Sequence, residues 1–278
     1  MEILQGIHSI PAGTSAFMGI SPPNVYLAVG DVGAAFIDTG FNKQEDIKVR
    51  MDYLESIGNP EVIGIILTHR HPDHMGGATH FQKTTGAPLL SSPIEKEVID
   101  TILERQSETP QAYNSVNHGD ALNLGSITLE FVHGPGHTMG SMAVYAREQK
   151  ALFTGDTILG FGTTAINPDD GNMKQYLETL ESFLQYELNF ILPGHGNMIS
   201  NPQAKINELI QHRIQRENQI IYALEEGPKS LEDLFKGIYS ELDHRLHNQA
   251  RSQIKSHLVK LETEGRATLQ SETYQIAR

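Results

Sequence analysis

Three histidines and one aspartate are packed into the segment Thr68-His69-Arg70-His71-Pro72-Asp73-His74-Met75-Gly76-Gly77. Imidazole and carboxylate together are donors for zinc, manganese or iron. His69 and His71 are two residues apart, so in extended chain they point to the same side. Asp73 and His74 lie on the turn that Pro72 starts and that Gly76-Gly77 releases into a helix. A polar loop with scattered histidines is the plainer reading. The position of the segment, directly after an apolar run, speaks for a metal-binding loop instead.

That run, Val62-Ile63-Gly64-Ile65-Ile66-Leu67, is short, branched-aliphatic and bounded by turn signals, which predicts a buried strand. The same context recurs downstream. Ser126–Val132 alternates with period two and runs into His133-Gly134-Pro135-Gly136-His137-Thr138. Ala151–Thr154 delivers Gly155-Asp156-Thr157, and Phe190–Pro193 ends at Gly194-His195-Gly196. Glycine lets the backbone approach an ion closely. An apolar strand followed by Gly/His or Gly/Asp sets His137, Asp156 and His195 apart from His80, His118, His133 and His212, which read as packing or surface residues.

The elements between these strand ends are conventional. Residues 1–20 read as loop or short strand. Asn24–Val29 and Ala34–Asp38 form a strand pair around the Gly30–Gly33 turn. Helices are predicted over Asn42–Ile57, Gly77–Thr85, Pro93–Arg105 and Asn172–Tyr186, with further strands at Ala87–Leu90 and Met142–Tyr145. Gln106–His118 is polar and irregular, a candidate substrate wall. Pro202–Glu225 reads as a long helix with Ile206, Leu209, Ile210, Ile214, Ile221 and Leu224 apolar. Past the break at Gly227-Pro228 come two helices (Ser230–Tyr239, Asn248–Thr263) and a hairpin (Ala267–Gln270, Thr273–Ile276). Helix, helix, hairpin is a winged-helix outline.

At 278 residues and 38% apolar content the chain suits one large catalytic domain with a small appendage. No cysteine is present, which excludes disulfides, thiolate ligands and thiol nucleophiles. No apolar run approaches the roughly 20 residues of a bilayer span. Met1-Glu2-Ile3-Leu4-Gln5 has no basic, signal-like start, so a cytoplasmic location is expected. A net charge of −13 argues against strong nonspecific binding of nucleic acid.

The ordered set of Asp38 at a strand end, His69-x-His71-x-Asp73-His74, His137, Asp156 and His195 resembles the metallo-β-lactamase superfamily over most of residues 24–200. Gly194-His195-Gly196, Asn201-Pro202, Lys205-Ile206, His212-Arg213 and Arg216-Glu217 are similar to its lactamase-β-2-like branch. The resemblance implies an α/β fold: an αββα sandwich over residues 1–200, a connecting helix over 201–226 and a winged-helix domain over 227–278. It further implies two zinc ions, with manganese or iron as substitutes. His69, His71 and His137 would hold the first, Asp73, His74 and His195 the second, and Asp156 would bridge them. A hydroxide between the metals would be the nucleophile, and Asp73 would act catalytically by orienting it. Asp38 would support the metal loop from behind.

Within the superfamily, common di-zinc β-lactamases place cysteine where Asp156 stands, and flavodiiron proteins place glutamate where His71 stands. An aspartate bridge instead resembles glyoxalase II, thioesterases and nucleases. The expected function is hydrolysis of a small ester, thioester or lactone, with a small acyl substrate as partner. A single-strand RNA endonuclease is the main alternative, and a mono-iron sulfur dioxygenase a minor one. RNA would want a positive groove and stacking aromatics. The chain has no tryptophan, and Glu226–Arg278 carries equal numbers of acids and bases. Arg251, Lys255 and Arg266 form at most a modest basic strip there.

Overall fold

A computed structural model describes residues 1–10, 22–106, 108–110 and 112–277. The loop or short strand read over residues 1–20 lies outside them from position 11 onward, as do Ser107 and Gln111 of the irregular segment.

The chain divides into two compact units. The first comprises Met1–Gly134, Gly140–Thr163 and Glu187–Pro202. It holds a mixed sheet in the order β1 (Glu2–Leu4), β2 (Ile7–Ile10), β3 (Val25–Val29), β4 (Ala34–Ile37), β5 (Val62–Ile66), β6 (Leu89–Ser91) and β7 (Tyr113–Ser115). Pairing is antiparallel up to β4 and parallel from β4 to β7. The helices α1 (Gln44–Ser56), α2 (Pro72–Met75), α3 (Ala78–Thr85) and α4 (Pro93–Arg105) alternate with the parallel strands. A second sheet runs β12 (Phe190–Pro193), β11 (Ala151–Gly155), β10 (Met142–Ala146), β9 (Thr128–His133) and β8 (Ala121–Asn123). Only its β11–β12 pair is parallel.

The parallel strands β4 and β5 are apolar throughout because both faces are covered. Along β4, β5 and β6, neighbouring residues serve different cores. Phe36, Ile65 and Leu89 pack with Ile47, Leu54 and Phe81 of α1 and α3. Ile37, Ile66 and Leu90 pack with Phe131, Val144, Phe153 and Leu192 of the second sheet. The period-two geometry of a strand thus builds both layers from one run of residues. Phe36 and Phe81 meet edge to face with centroids 4.7 Å apart, and truncating Phe36 to Ala should cost about 3–5 kcal/mol.

The second unit comprises Pro135–Met139, Thr164–Tyr186 and Gln203–Arg278. It contains α5 (Met173–Phe183), α6 (Pro202–Glu225), α7 (Leu231–Ile238), a single 3₁₀ turn, α8 (His247–Thr263) and the hairpin β13 (Ala267–Gln270) and β14 (Thr273–Ile276). A core of Ile220, Leu224, Leu234, Phe235, Ile254, Leu258 and Leu261 gathers α6, α7 and α8. Ser230 and Asp233 form a reciprocal capping box at the start of α7. The hairpin turns at Ser271 and Glu272, both in the left-handed region. Mixed sheets with a winged helix at the C-terminus are the architecture expected from the sequence.

Two details of that reading need correction. Ile214, read as part of the apolar face of α6, is 41% exposed. The inward stripe is Ile206, Leu209, Arg213, Glu217, Ile220 and Leu224, at helical three- and four-residue spacing, with Arg213 and Glu217 buried in it. The basic strip also dissolves. Arg251 pairs with Glu232, Lys255 with Asp169, and Arg266 with Glu217 and Glu264.

Candidate metal centre

Five strand ends supply the site. Asp38 follows β4, the Thr68–His74 segment follows β5, His137 lies in the loop from β9 to β10, Asp156 follows β11 and His195 follows β12. The sequence-predicted ligands collect into two groups. The ligand atoms of His69, His71, His137 and Asp156 lie within 4.8 Å of one another, as do those of Asp73, His74 and His195. The loop carrying His137 is spliced at both ends into the first unit, at Gly134 and Gly140. His74 Nε2 lies 3.2 Å from Asp156 Oδ1, which joins the two groups. His195 Nε2 is 3.2 Å from Asp73 Oδ2 and 3.6 Å from Asp156 Oδ1.

Three of the imidazoles are oriented by what their far nitrogen touches. His74 Nδ1 lies 2.7 Å from Asp38 Oδ2. Asp38 also accepts from the Thr68 amide (2.8 Å) and hydroxyl (2.9 Å), so one carboxylate ties β4 to the whole metal loop. It does so from a backbone φ of 61°, a strained position for a non-glycine residue. His69 Nδ1 is 3.0 Å from the Thr68 hydroxyl, and His137 Nδ1 donates to the Ala165 carbonyl over 3.0 Å. Carbonyl acceptors fix the tautomer, leaving Nε2 with a lone pair for a cation.

The donor chemistry fits metal ions. His74 Nε2 and His195 Nε2 face each other at 3.4 Å, and His69 Nε2 and His71 Nδ1 at 2.9 Å. Nitrogens and carboxylate oxygens converge here. Burial works against charge on His74, yet the Asp156 and Asp38 carboxylates hold its pKa well above the ordinary value. Burial likewise opposes ionisation of Asp73, and the hydrogen bond from His195 with the charge of His74 outweighs it, so that carboxyl titrates below its usual range. The carboxylates thus favour positive charge on His74, and the histidines favour negative charge on Asp73. Gly194 is required by the crowding, since a Cβ there would lie 2.4 Å from Asp156 Oδ1.

The remaining histidines stay out. His80, His118 and His133 are exposed, and the His133 amide donates to His118 Nδ1. Sequence reasoning missed Thr68, Thr164 and Ala165 as partners of the imidazoles, because a hydroxyl or carbonyl that orients a ligand carries no motif. A cavity of about 650 Å³ opens beside the cluster at His71, with Phe41, Pro72, Met75 and Ile102 as apolar wall. Gln106 and Glu108, from the segment read as a substrate wall, line it too.

Residues 18–195 match the metallo-beta-lactamase superfamily, and residues 230–273 match the beta-lactamase associated winged helix domain. The chain belongs to the metallo-beta-lactamase superfamily. It is 29% identical to the beta-lactamase-like protein 2 homolog of Drosophila melanogaster, across 96% of this chain and 93% of that one. It is 26% identical to the atrochrysone carboxyl ACP thioesterase of Aspergillus fumigatus, across 77% of this chain and 63% of that one. A beta-lactamase domain protein from Burkholderia ambifaria shares the fold with a TM-score of 0.84 at 20% identity, covering 100% of this chain and 93% of that chain. Among the described residues no helix is long and apolar enough to cross a membrane.

Proposed function

We propose that this superfamily member is a dinuclear zinc hydrolase acting on a small ester, thioester or lactone. The observation that carries the reading is the pair of ligand groups joined through His74 and Asp156. His69, His71 and His137 would hold one ion, Asp73, His74 and His195 the other, and Asp156 both. Ions held there would supply Lewis acidity and the activation of a water at neutral pH. The chain's own residues do the rest. Asp73 is kept ionised and half-exposed, placed to accept a hydrogen bond from an attacking water. Asp38 and Thr68 hold the metal loop rigid, and Phe41, Met75 and Ile102 offer an apolar wall to an acyl chain.

A small acyl substrate is favoured over RNA by charge. The net charge is −13, and Arg251, Lys255 and Arg266 of the winged helix are paired with carboxylates. The relative named as a thioesterase points the same way. The test is parallel turnover of acyl thioesters and lactones against a labelled unstructured RNA, with metal content measured on the same sample. Thioester or lactone turnover that falls by about a thousandfold or more in Asp156→Ala, with RNA intact, supports the proposal. RNA cleavage lost in that variant would replace it with a nuclease. A single iron per chain would move the reading to oxidation.

A further inference from the structure

The His137 loop is held from one side by a chain of contacts that ends on α6. Thr179 Oγ1 donates to Pro135 O over 2.7 Å, Met139 N to Asp170 O, and Asn172 N to Gly136 O. Gly136 sits at φ 142°, and a Cβ there would fall 2.4 Å from the Tyr176 backbone of α5. The His137 ring meets two oxygens of one short segment, Ala165 O at 3.0 Å and Thr164 Oγ1 at 3.1 Å. Whatever fixes Thr164–Ile166 therefore fixes the tautomer and aim of His137.

Three side chains fix it. Arg213 Nη2 donates to the Thr164 carbonyl over 2.6 Å, and its Nη1 donates to Gln253 Oε1 over 2.9 Å. Gln253 Nε2 donates to the Ile166 carbonyl at 3.0 Å, and Ser256 Oγ donates to the same oxygen. Arg213 is 2% exposed, with its guanidinium 5.2 Å from the centre of the Tyr176 ring. Glu217, one turn along α6, is committed to Lys260 and Arg266. A buried cation resting on neutral acceptors is a poor choice for stability alone. A planar fork on a carbonyl is a good choice for holding backbone still.

We propose that Arg213 is a positioning residue for the metal centre, clamping the Thr164–Ile166 segment that orients His137. The inference rests on the metal-hydrolase reading above. It assigns the helix preceding the winged-helix core a part in shaping the site.

The experiment uses the full chain and its Arg213→Met and Arg213→Lys variants. Zinc affinity is measured by competition with a chromophoric chelator, and ligand geometry by the visible spectrum of the cobalt(II)-substituted protein. In Arg213→Met one of two metal equivalents should weaken by about 10–100-fold, the loss typical of groups that orient a ligand. Its cobalt bands should shift, and kcat should fall with KM little changed. Arg213→Lys should recover part of the loss, since it keeps a donor without the fork. Arg251→Gln, which breaks an ion pair elsewhere in the same unit, should leave both equivalents unchanged. Wild-type affinity and spectrum in Arg213→Met, with only the melting temperature lowered, would overturn the proposal. Should that variant not fold, Gln253→Ala/Ser256→Ala frees the Ile166 carbonyl instead. It should weaken the same equivalent less, and no change there also overturns the proposal. A wild-type chain that binds no zinc at these residues would sink the metal reading itself, a distinct result.

Discussion

His74 and His257 are both fully buried, and the protein surrounds them with opposite charge. His74 sits between Asp38 and Asp156, which raise its pKa against the pull of burial. Among the described residues, His257, on α8, finds no hydrogen-bond partner for either ring nitrogen. Burial, with Arg213, Lys260, Arg216 and His212 around it, pushes its pKa down to about 3. The same side chain at the same depth is made cation-friendly in one place and cation-averse in the other. Burial alone therefore says little about a histidine's role, and the sign of its neighbours says much.

Exchanging each ring for an apolar one gives the largest expected contrast. His74→Phe should remove metal-dependent turnover by roughly a thousandfold or more, whereas His257→Leu should leave initial rates unchanged. Equal losses in the two variants would break the contrast. A smaller effect is expected at Asp38→Asn, which keeps the shape of the residue behind His74 and removes its charge. Metal affinity should fall about 10–100-fold, read by the same chelator competition. Stability should show the subtler side. Replacing an unsatisfied buried ring by Leu is expected to be neutral or to raise unfolding free energy by up to about 2 kcal/mol in urea titrations. A drop of similar size would mean that the ring has a partner after all.

A further effect lies in pH dependence. His257 has a folded pKa of about 3 against an unfolded value of 6.5. Between those values the unfolded chain binds a proton that the folded chain refuses, so stability rises with pH across the window. This contribution is fully present above pH 6.5 and is lost as pH falls toward 3, at up to about 1.4 kcal/mol per pH unit. His257→Leu should flatten that slope, measured as urea unfolding at several pH values. An unchanged slope would show that the proton goes elsewhere.

Much of the site could be read in the chain because each cluster residue follows an apolar strand and stands beside glycine or another donor. Asp38, His69, Asp156 and His195 announce themselves by that context. The long helices were equally legible, as were the parallel strands β4 and β5, since burial on both faces of a strand writes continuous apolar runs. The rest had no such signal. β7 and β8 are short, mostly exposed strands that exist because a neighbour offers them hydrogen bonds, not because their own residues favour extension. Likewise β1 and β2 are a hairpin made by pairing onto β3. Arg213 was hidden by its chemistry. A charged residue on a helix reads as solvent-facing, although Ile206, Leu209, Ile220 and Leu224 set a stripe that passes through it.

The two sheets contribute different parts of the cluster. His69, His71, Asp73 and His74 follow a strand of the seven-stranded sheet, while Asp156 and His195 follow strands of the five-stranded one. The cluster therefore does not exist until the faces bearing Ile37, Ile66, Phe153 and Leu192 have closed over each other. Contacts so distant along the chain form late and set a slow folding rate. An ion that binds only the closed arrangement can do nothing for the steps before closure. Its effect would fall on the reverse reaction: it would act as a latch, lengthening the lifetime of the native state while the time needed to reach it stays where the topology puts it.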